Sequence, residues 1–234
     1  MAPRSEIIKT IDEIGHTLRN LADRGLRGFN CSRSSLEKMA SWGFASGRIA
    51  ETLQDIRSEL GNCQRCRLAN DRTRIVFGSG SFKAKLIFVG EGPGFEEDQQ
   101  GEPFVGPAGQ LLSKIIAAIN LNRKQVYICN VVKCRPPHNR NPQSDEISTC
   151  LPFLERQIDA IQPDFVCALG TIAAQTLLNT AEPISKLRGR FHNYNGIKLL
   201  PTYHPAYLLR NPDKKRAVWE DMKLLMKEYP YETE

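Results

Sequence analysis

The chain has 234 residues, 41 % of them hydrophobic and 25 % charged, an ordinary globular profile with enough length to bury a sizeable core. Thirty-two Lys and Arg against twenty-six Asp and Glu give a net charge of +6 and a pI near 9, which suits a polyanionic partner without requiring one. No apolar run approaches the ~20 residues of a membrane span and the amino-terminal residues lack a secretory core, so a cytoplasmic protein is expected. Its seven cysteines, an odd number, argue for metal binding or free thiols rather than a disulfide framework.

Residues 5 to about 26 place Ile7, Ile8, Ile11, Ile14, Leu18 and Leu21 at helical spacing between charged residues, which predicts one amphipathic helix. A Gly-, Asn- and Ser-rich stretch from Gly25 to Ser35, which includes Cys31, breaks that pattern. Residues 1–45 therefore form a helical extension, and residues 46–234 the main domain. A helix is expected from about Ser46 to Leu60, closed by Gly61. Four apolar runs follow, rich in β-branched and aromatic residues: Lys85 to Gly90, Gln125 to Asn130, Asp164 to Gly170, and Ile197 to Tyr203. Helical patterns fall at Ala108 to Asn120, Ser144 to Ile161, with Ser144 as its cap, Thr171 to Asn179, and Asp213 to Glu228. Strands alternating with helices imply a mainly parallel four-stranded sheet covered on both faces. The loops after those strands, residues 90–107, 130–143, the Gly170-Thr171 turn and 203–212, then converge on one edge, where open α/β sheets place their ligands.

The first of these loops, Gly90-Glu91-Gly92-Pro93-Gly94-Phe95-Glu96-Glu97-Asp98-Gln99-Gln100-Gly101-Glu102-Pro103-Phe104-Val105-Gly106, packs glycines and prolines around carboxylates and aromatic residues. Glycine lets the backbone approach a ligand, proline fixes turns, and a Phe among polar residues needs a reason to be there. It reads as an active-site loop. Cys63-Gln64-Arg65-Cys66, Cys134 and Cys150 make a C-x2-C-x67-C-x15-C pattern that fits zinc or a [4Fe-4S] cluster equally well. Cys129 and Cys167 lie inside strand patterns and read as small core residues.

The loop GEGPGFEEDQQGEPFVGPAGQLL, the segment from Tyr127 to Pro142 with its Asn130 and KCRPP, the four cysteines, and His204-Pro205-Ala206-Tyr207-Leu208-Leu209-Arg210 together resemble a family 4, iron-sulfur uracil-DNA glycosylase of bacteria and archaea. The resemblance runs from about Leu60 to Tyr229, in order. It implies a three-layer αβα sandwich on a short, mainly parallel four-stranded sheet, and a [4Fe-4S] cluster on Cys63, Cys66, Cys134 and Cys150. It also implies a monomer that acts on uracil-containing DNA, single- or double-stranded, and a monofunctional repair hydrolase that leaves an abasic site for base excision repair.

Breaking a deoxyuridine N-glycosidic bond puts positive charge on the sugar and negative charge on uracil O2. The site therefore needs a carboxylate or positioned water near the sugar, donors near O2, and a pocket for an extruded base. Carried onto the matching positions, the resemblance assigns Glu91 to orienting water and facing the cationic sugar, and His204 to hydrogen bonding O2, for which a neutral imidazole suffices. Phe104 offers a flat face to the base, Asn130 reads the O4 and N3-H edge, and Gly92 allows close approach of the backbone. Glu97 and Asn139 match site positions without a unique role. Tyr207, Leu208, Leu209 and Arg210 form a wedge with a cation at a loop tip, suited to fill the gap left in a duplex. Lys133, Arg135, Arg140, Arg188, Arg190 and Arg210 are further phosphate-contact candidates.

Two other classes compete. A DNA-binding protein with a structural metal and no chemistry would not place carboxylates in this loop, since they repel phosphate. A phosphate-binding nucleotide enzyme would carry GxxxxGK[ST] or GxGxxG, and neither is present. A relative that traps the sugar on His138 or His192 is disfavoured, because the loop after Asn130 lacks the basic insertion that such relatives carry.

Overall fold

The computed structural model describes residues 51–231. The expected helix over residues 5 to about 26, the extension to residue 45 and Cys31 lie outside the described residues.

The first described helix, α1 (Leu53–Leu60), begins at a reciprocal cap. The Thr52 hydroxyl accepts the Asp55 N–H at 3.2 Å, and the Asp55 carboxylate accepts the Thr52 N–H at 2.9 Å. Strands β1 (Ser79–Gly80) and β2 (Leu86–Gly90), helices α2 (Phe95–Gln100) and α3 (Pro107–Ala118), strand β3 (Tyr127–Asn130) and helix α4 (Ser144–Ile161) follow. After them come β4 (Phe165–Leu169), α5 (Thr171–Leu178), α6 (Ile184–Leu187), β5 (His192–Tyr194), β6 (Ile197–Thr202), α7 (Pro205–Arg210) and α8 (Lys215–Glu228).

The strands form one sheet in the order β1-β3-β2-β4-β6-β5. Its inner four strands are parallel and are the four expected from the sequence. All residues of β2, β3 and β4 are buried, so these strands read as unbroken apolar runs. Side chains alternate between two cores. Ile87, Val89, Cys129, Val166 and Leu199 pack under α1, α4 and α5, whereas Leu86, Phe88, Ile128, Cys167 and Leu200 pack under α3, α7 and α8. The result is the three-layer αβα arrangement. Cys129 and Cys167 are core residues, on opposite faces.

Two antiparallel edge strands correct the count of four. Strand β1 is two residues long and has no apolar pattern to detect. Strand β5 is polar, and only the Asn195-Gly196 turn joining it to β6, with both residues at positive φ, marks the hairpin. Two segments read as loops contain short helices, α2 within residues 90–106 and α7 within residues 203–212. Each has at most six residues, too few for a periodicity. The cap of α4 is Gln143 rather than Ser144: its N–H donates to Glu146 Oε2 at 2.7 Å, which moves the first turn by one residue.

Two of the expected phosphate cations are structural. Lys133 is 1 % exposed, with Nζ donating to the Asn130 carbonyl at 2.7 Å and to Gln157 Oε1. Arg188 grips fully buried Asp221 through both carboxylate oxygens, at 3.0 and 2.7 Å, and also donates to the Ala217 carbonyl. Asp221 accepts a third hydrogen bond from Thr202 Oγ1 at 2.6 Å, which ties α8 to the end of β6. Breaking a buried pair leaves a charge unpaired. Arg188→Ala is therefore expected to lower the unfolding free energy by roughly 3 kcal/mol, read as a lower urea midpoint.

Candidate functional site

The carboxyl ends of β2, β3 and β6 meet at a cleft of about 500 Å³. Parallel register sets Gly90 beside Asn130, so the two strands release their loops at the same level. Gly90 is required there by close packing: a Cβ on it would stand 2.4 Å from Asn130 Oδ1 and 2.6 Å from the Phe104 ring. Asn130 and Phe104 are thus neighbours over a bare backbone. Asn130 is 1 % exposed, and its Oδ1 is the buried side-chain polar atom left without a hydrogen-bond partner among the described residues. A buried amide oxygen without a partner costs free energy, and here it borders a cleft that can supply one.

Phe104 is 6 % exposed and sits at φ +55°, a left-handed conformation that bulky residues seldom adopt. Two clamps hold it. Arg123 donates to the Phe104 and Pro103 carbonyls at 3.0 and 2.7 Å. On the other side, α3 presses on the Phe104 carbonyl so closely that a Cβ on Gly109 would lie 1.8 Å from its oxygen. The Phe104 ring faces the His204 ring, with centroids 5.6 Å apart.

Glu97 is buried on α2 and accepts three backbone N–H groups, Gly94 at 3.1 Å through Oε2, and Val105 at 2.9 Å and Gly106 at 3.0 Å through Oε1. It closes the ends of the loop on each other. Its neighbour Asp98 accepts from Thr73 and Arg74 N–H, fixing α2 to the preceding chain. Glu91, one residue past β2, lines the cleft, and burial lifts its carboxyl above the usual range. Gly92 packs on the next loop, where a Cβ would meet Val132 at 2.8 Å. Asn139 is exposed at the rim and accepts from Arg135 Nε at 2.7 Å.

His204 caps α7, its Nδ1 accepting the Ala206 N–H at 3.1 Å. An accepting Nδ1 carries no proton, so the proton of the neutral ring resides on Nε2, leaving that nitrogen as a donor. Burial, with Arg210 adding repulsion and Glu97 opposing, pushes its pKa down to about 4. The ring is neutral at pH 7.

Of the expected wedge, Tyr207, Leu209 and Arg210 line the cleft, and Leu209 is 45 % exposed. Leu208 does not: at 1 % exposure it packs inward with Val218 and Met222, because a helical turn sends successive residues to different faces. Arg140 lines the cleft but is held by Glu146 at 2.7 and 2.9 Å.

Cys63, Cys66, Cys134 and Cys150 border one small cavity beside Leu60 and Phe153. Nitrogen donors lie against three of the sulfurs: Arg65 Nη1 on Cys63 at 3.4 Å, Arg72 Nη1 on Cys134 at 3.3 Å, and the Lys133 N–H on Cys150 at 3.3 Å. Among the described residues, no three His, Cys, Asp or Glu side chains close on a single ion position. No described helix is long and apolar enough to cross a membrane. Sequence reasoning missed Arg123 and Asp98, which carry no local signal in their segments.

The family model of the Uracil DNA glycosylase superfamily matches residues 77–223. The chain is 44 % identical over 182 residues to a type-4 uracil-DNA glycosylase of Saccharolobus solfataricus, covering 74 % of this chain and 84 % of that protein. It is 45 % identical over 177 residues to the Thermotoga maritima protein of the same name, covering 74 % and 92 %. A third relative, the Archaeoglobus fulgidus type-4 protein, is 41 % identical over 181 residues, covering 74 % and 91 %.

The His204 shift makes stability depend on pH. An unfolded His titrates near 6.5 and this one at about 4, so between those values the unfolded chain holds the extra proton. The contribution is complete above pH 6.5 and is lost as pH falls toward 4. Urea midpoints measured from pH 7 to 4 are expected to fall less steeply for His204→Gln than for the parent, whose slope from this group approaches about 1.4 kcal/mol per unit.

Proposed function

The chain belongs to the uracil-DNA glycosylase superfamily, and on that premise we propose how its residues extrude uracil from DNA and hydrolyse the N-glycosidic bond to leave an abasic site. The observation that carries the assignment is the unpartnered Asn130 Oδ1, next to the Phe104 ring and one strand from Glu91. Uracil stacks on Phe104, and Asn130 accepts from N3-H through Oδ1 and donates to O4 through its amide nitrogen. Cytosine presents the reverse pattern, which a flipped amide would match, so its rejection requires surrounding contacts that hold the Asn130 amide in one orientation. The Nε2–H of neutral His204 donates to O2 as charge develops there, so uracil departs as a hydrogen-bonded anion without a proton being transferred to it. Glu91, as carboxylate, orients water toward C1′ and offsets the cationic sugar. Glu97 and Arg123 hold the loop, Gly92 lets it pack, and Asn139 with Arg135 sets the rim. Tyr207, Leu209 and Arg210 support the gap in the strand, with Leu208 as their apolar anchor.

We assign the four thiols to a [4Fe-4S] cluster, with zinc as the alternative. The donor set is entirely sulfur, and N–H groups lie against three of its members, an environment that suits bound thiolates. Glycosidic hydrolysis moves no electrons, so the group supplies a fixed joint and no redox step. Cys134 and Cys150 would then join the loop after Asn130 to α4, and Cys63 with Cys66 would join both to the end of α1. Residues 46–234 form the glycosylase domain, residues 1–45 an extension. A monomer acting in the cytoplasm on single- or double-stranded DNA suits this site and the net charge.

Purified, air-protected protein incubated with a single-uracil oligonucleotide and treated with alkali is expected to give strand cleavage at uracil. The same preparation should be brown in the visible range; colourless active protein would point to zinc. Glu91→Gln should lower kcat/KM by about a hundredfold or more, the range of a positioned acid-base group. Asn130→Asp should lose uracil excision by a similar factor and gain activity toward cytosine. Retention of uracil activity with no such gain would remove Asn130 as the reader of the base.

A further inference from the structure

Helix α2 is inside out. Two of its three acidic residues, Glu97 and Asp98, are buried, at 8 % and 1 % exposure, while Glu96 and Phe95 in the same turn are exposed, Phe95 by 52 %. An apolar ring is normally the residue such a helix buries. The Arg135 guanidinium lies over the Phe95 ring, 5.1 Å from its centroid. Its Nε is held by Asn139 Oδ1 at 2.7 Å, so the plane is fixed where the two loops meet. Gly94 and Glu96, on either side of Phe95, line the cleft, as do Pro136 and Asn139 beside Arg135.

We propose that Phe95 and Arg135 form a stacking shelf for a nucleobase adjacent to the extruded uracil on the same strand. This inference rests on the glycosylase reading of the cleft. A flat ring joined to a guanidinium matches a nucleotide, since the ring or the guanidinium plane receives the base while the free guanidinium N–H groups reach a phosphate. In a single strand the neighbouring base is free to take the shelf. In a duplex it stays paired and stacked, so the shelf is used mainly on single-stranded substrate. Phe95 and Arg135 are not themselves in the cleft lining but adjoin residues that are, whereas Phe82 and Trp219, the other exposed aromatic residues among the described ones, have no sequence neighbour in that lining.

The test places 2-aminopurine on the 5′ or the 3′ side of a non-cleavable 2′-fluoro-deoxyuridine in a single-stranded oligonucleotide, and measures fluorescence quenching on binding alongside excision kinetics on cleavable single-stranded and duplex substrates. In one of the two placements, Phe95→Ala and Phe95→Leu should abolish the quenching and Phe95→Trp should keep it. On single strands the Phe95→Ala kcat/KM should fall about tenfold, through KM, and on duplex less than twofold. Quenching unaltered by Phe95→Ala in both placements, or equal losses on single strands and duplex, overturns the shelf. Quenching that depends on Phe95 in a protein that excises no uracil would support the shelf while overturning the catalytic reading.

Discussion

The cleft depends on one buried carboxylate whose hydrogen-bond partners are all backbone amides. Glu97 takes three backbone N–H groups, from Gly94 at one end of the loop and from Val105 and Gly106 at the other. A buried carboxylate must be matched by donors, and these donors are the orphan amides of a tight loop and of the first turn of α3. Satisfying the charge and shaping the loop are therefore the same act. Once the ends are tied, Phe104 is carried into its left-handed conformation. Arg123 and the bare face of Gly109 then have a fixed carbonyl to grip.

The sheet supplies the second constraint. Parallel register brings Gly90 level with Asn130, and a glycine there lets an amide oxygen and an aromatic ring share the space a side chain would fill. Behind Asn130, the buried Nζ of Lys133 holds the strand's last carbonyl, and Gln157 passes that restraint on to Phe77 and Tyr127. The N–H of Lys133 rests on Cys150, so the loop after Asn130 is tied to one of the four thiols as well as to the strand. A residue that looks like a phosphate contact in sequence is a tie between two sites.

Electrostatics divides the positive charges by depth. Lys133 and Arg188 are internal partners, whereas Arg210 stays exposed at the cleft. Burial works on His204 as well, keeping the imidazole neutral with its single proton on Nε2, because Nδ1 accepts from the Ala206 N–H. Burial raises the Glu91 carboxyl for the same reason, which places two titratable groups of the cleft on opposite sides of their ordinary values.

The sequence by itself determined the four parallel strands, the principal helices covering them, and the residue types that meet at the cleft. Buried strands must be unbroken apolar runs, helices of three turns or more show their periodicity, and parallel strands alternating with helices place every strand-to-helix loop at one edge. Glycines, prolines and polar residues marked those loops, and the resemblance to the iron-sulfur glycosylases singled out Glu91, Asn130, Phe104 and His204 within them. Short elements were not legible: β1, β5, α2 and α7 hold too few residues for a period, and only the Asn195-Gly196 turn carried a local signal. Only the tertiary structure decided that Leu208 turns inward while Leu209 turns out, that Lys133 is buried, and that Glu97 is consumed by backbone amides. Each of these depends on which groups from distant parts of the chain meet a side chain, and that is fixed by packing across the sheet rather than by neighbours in sequence.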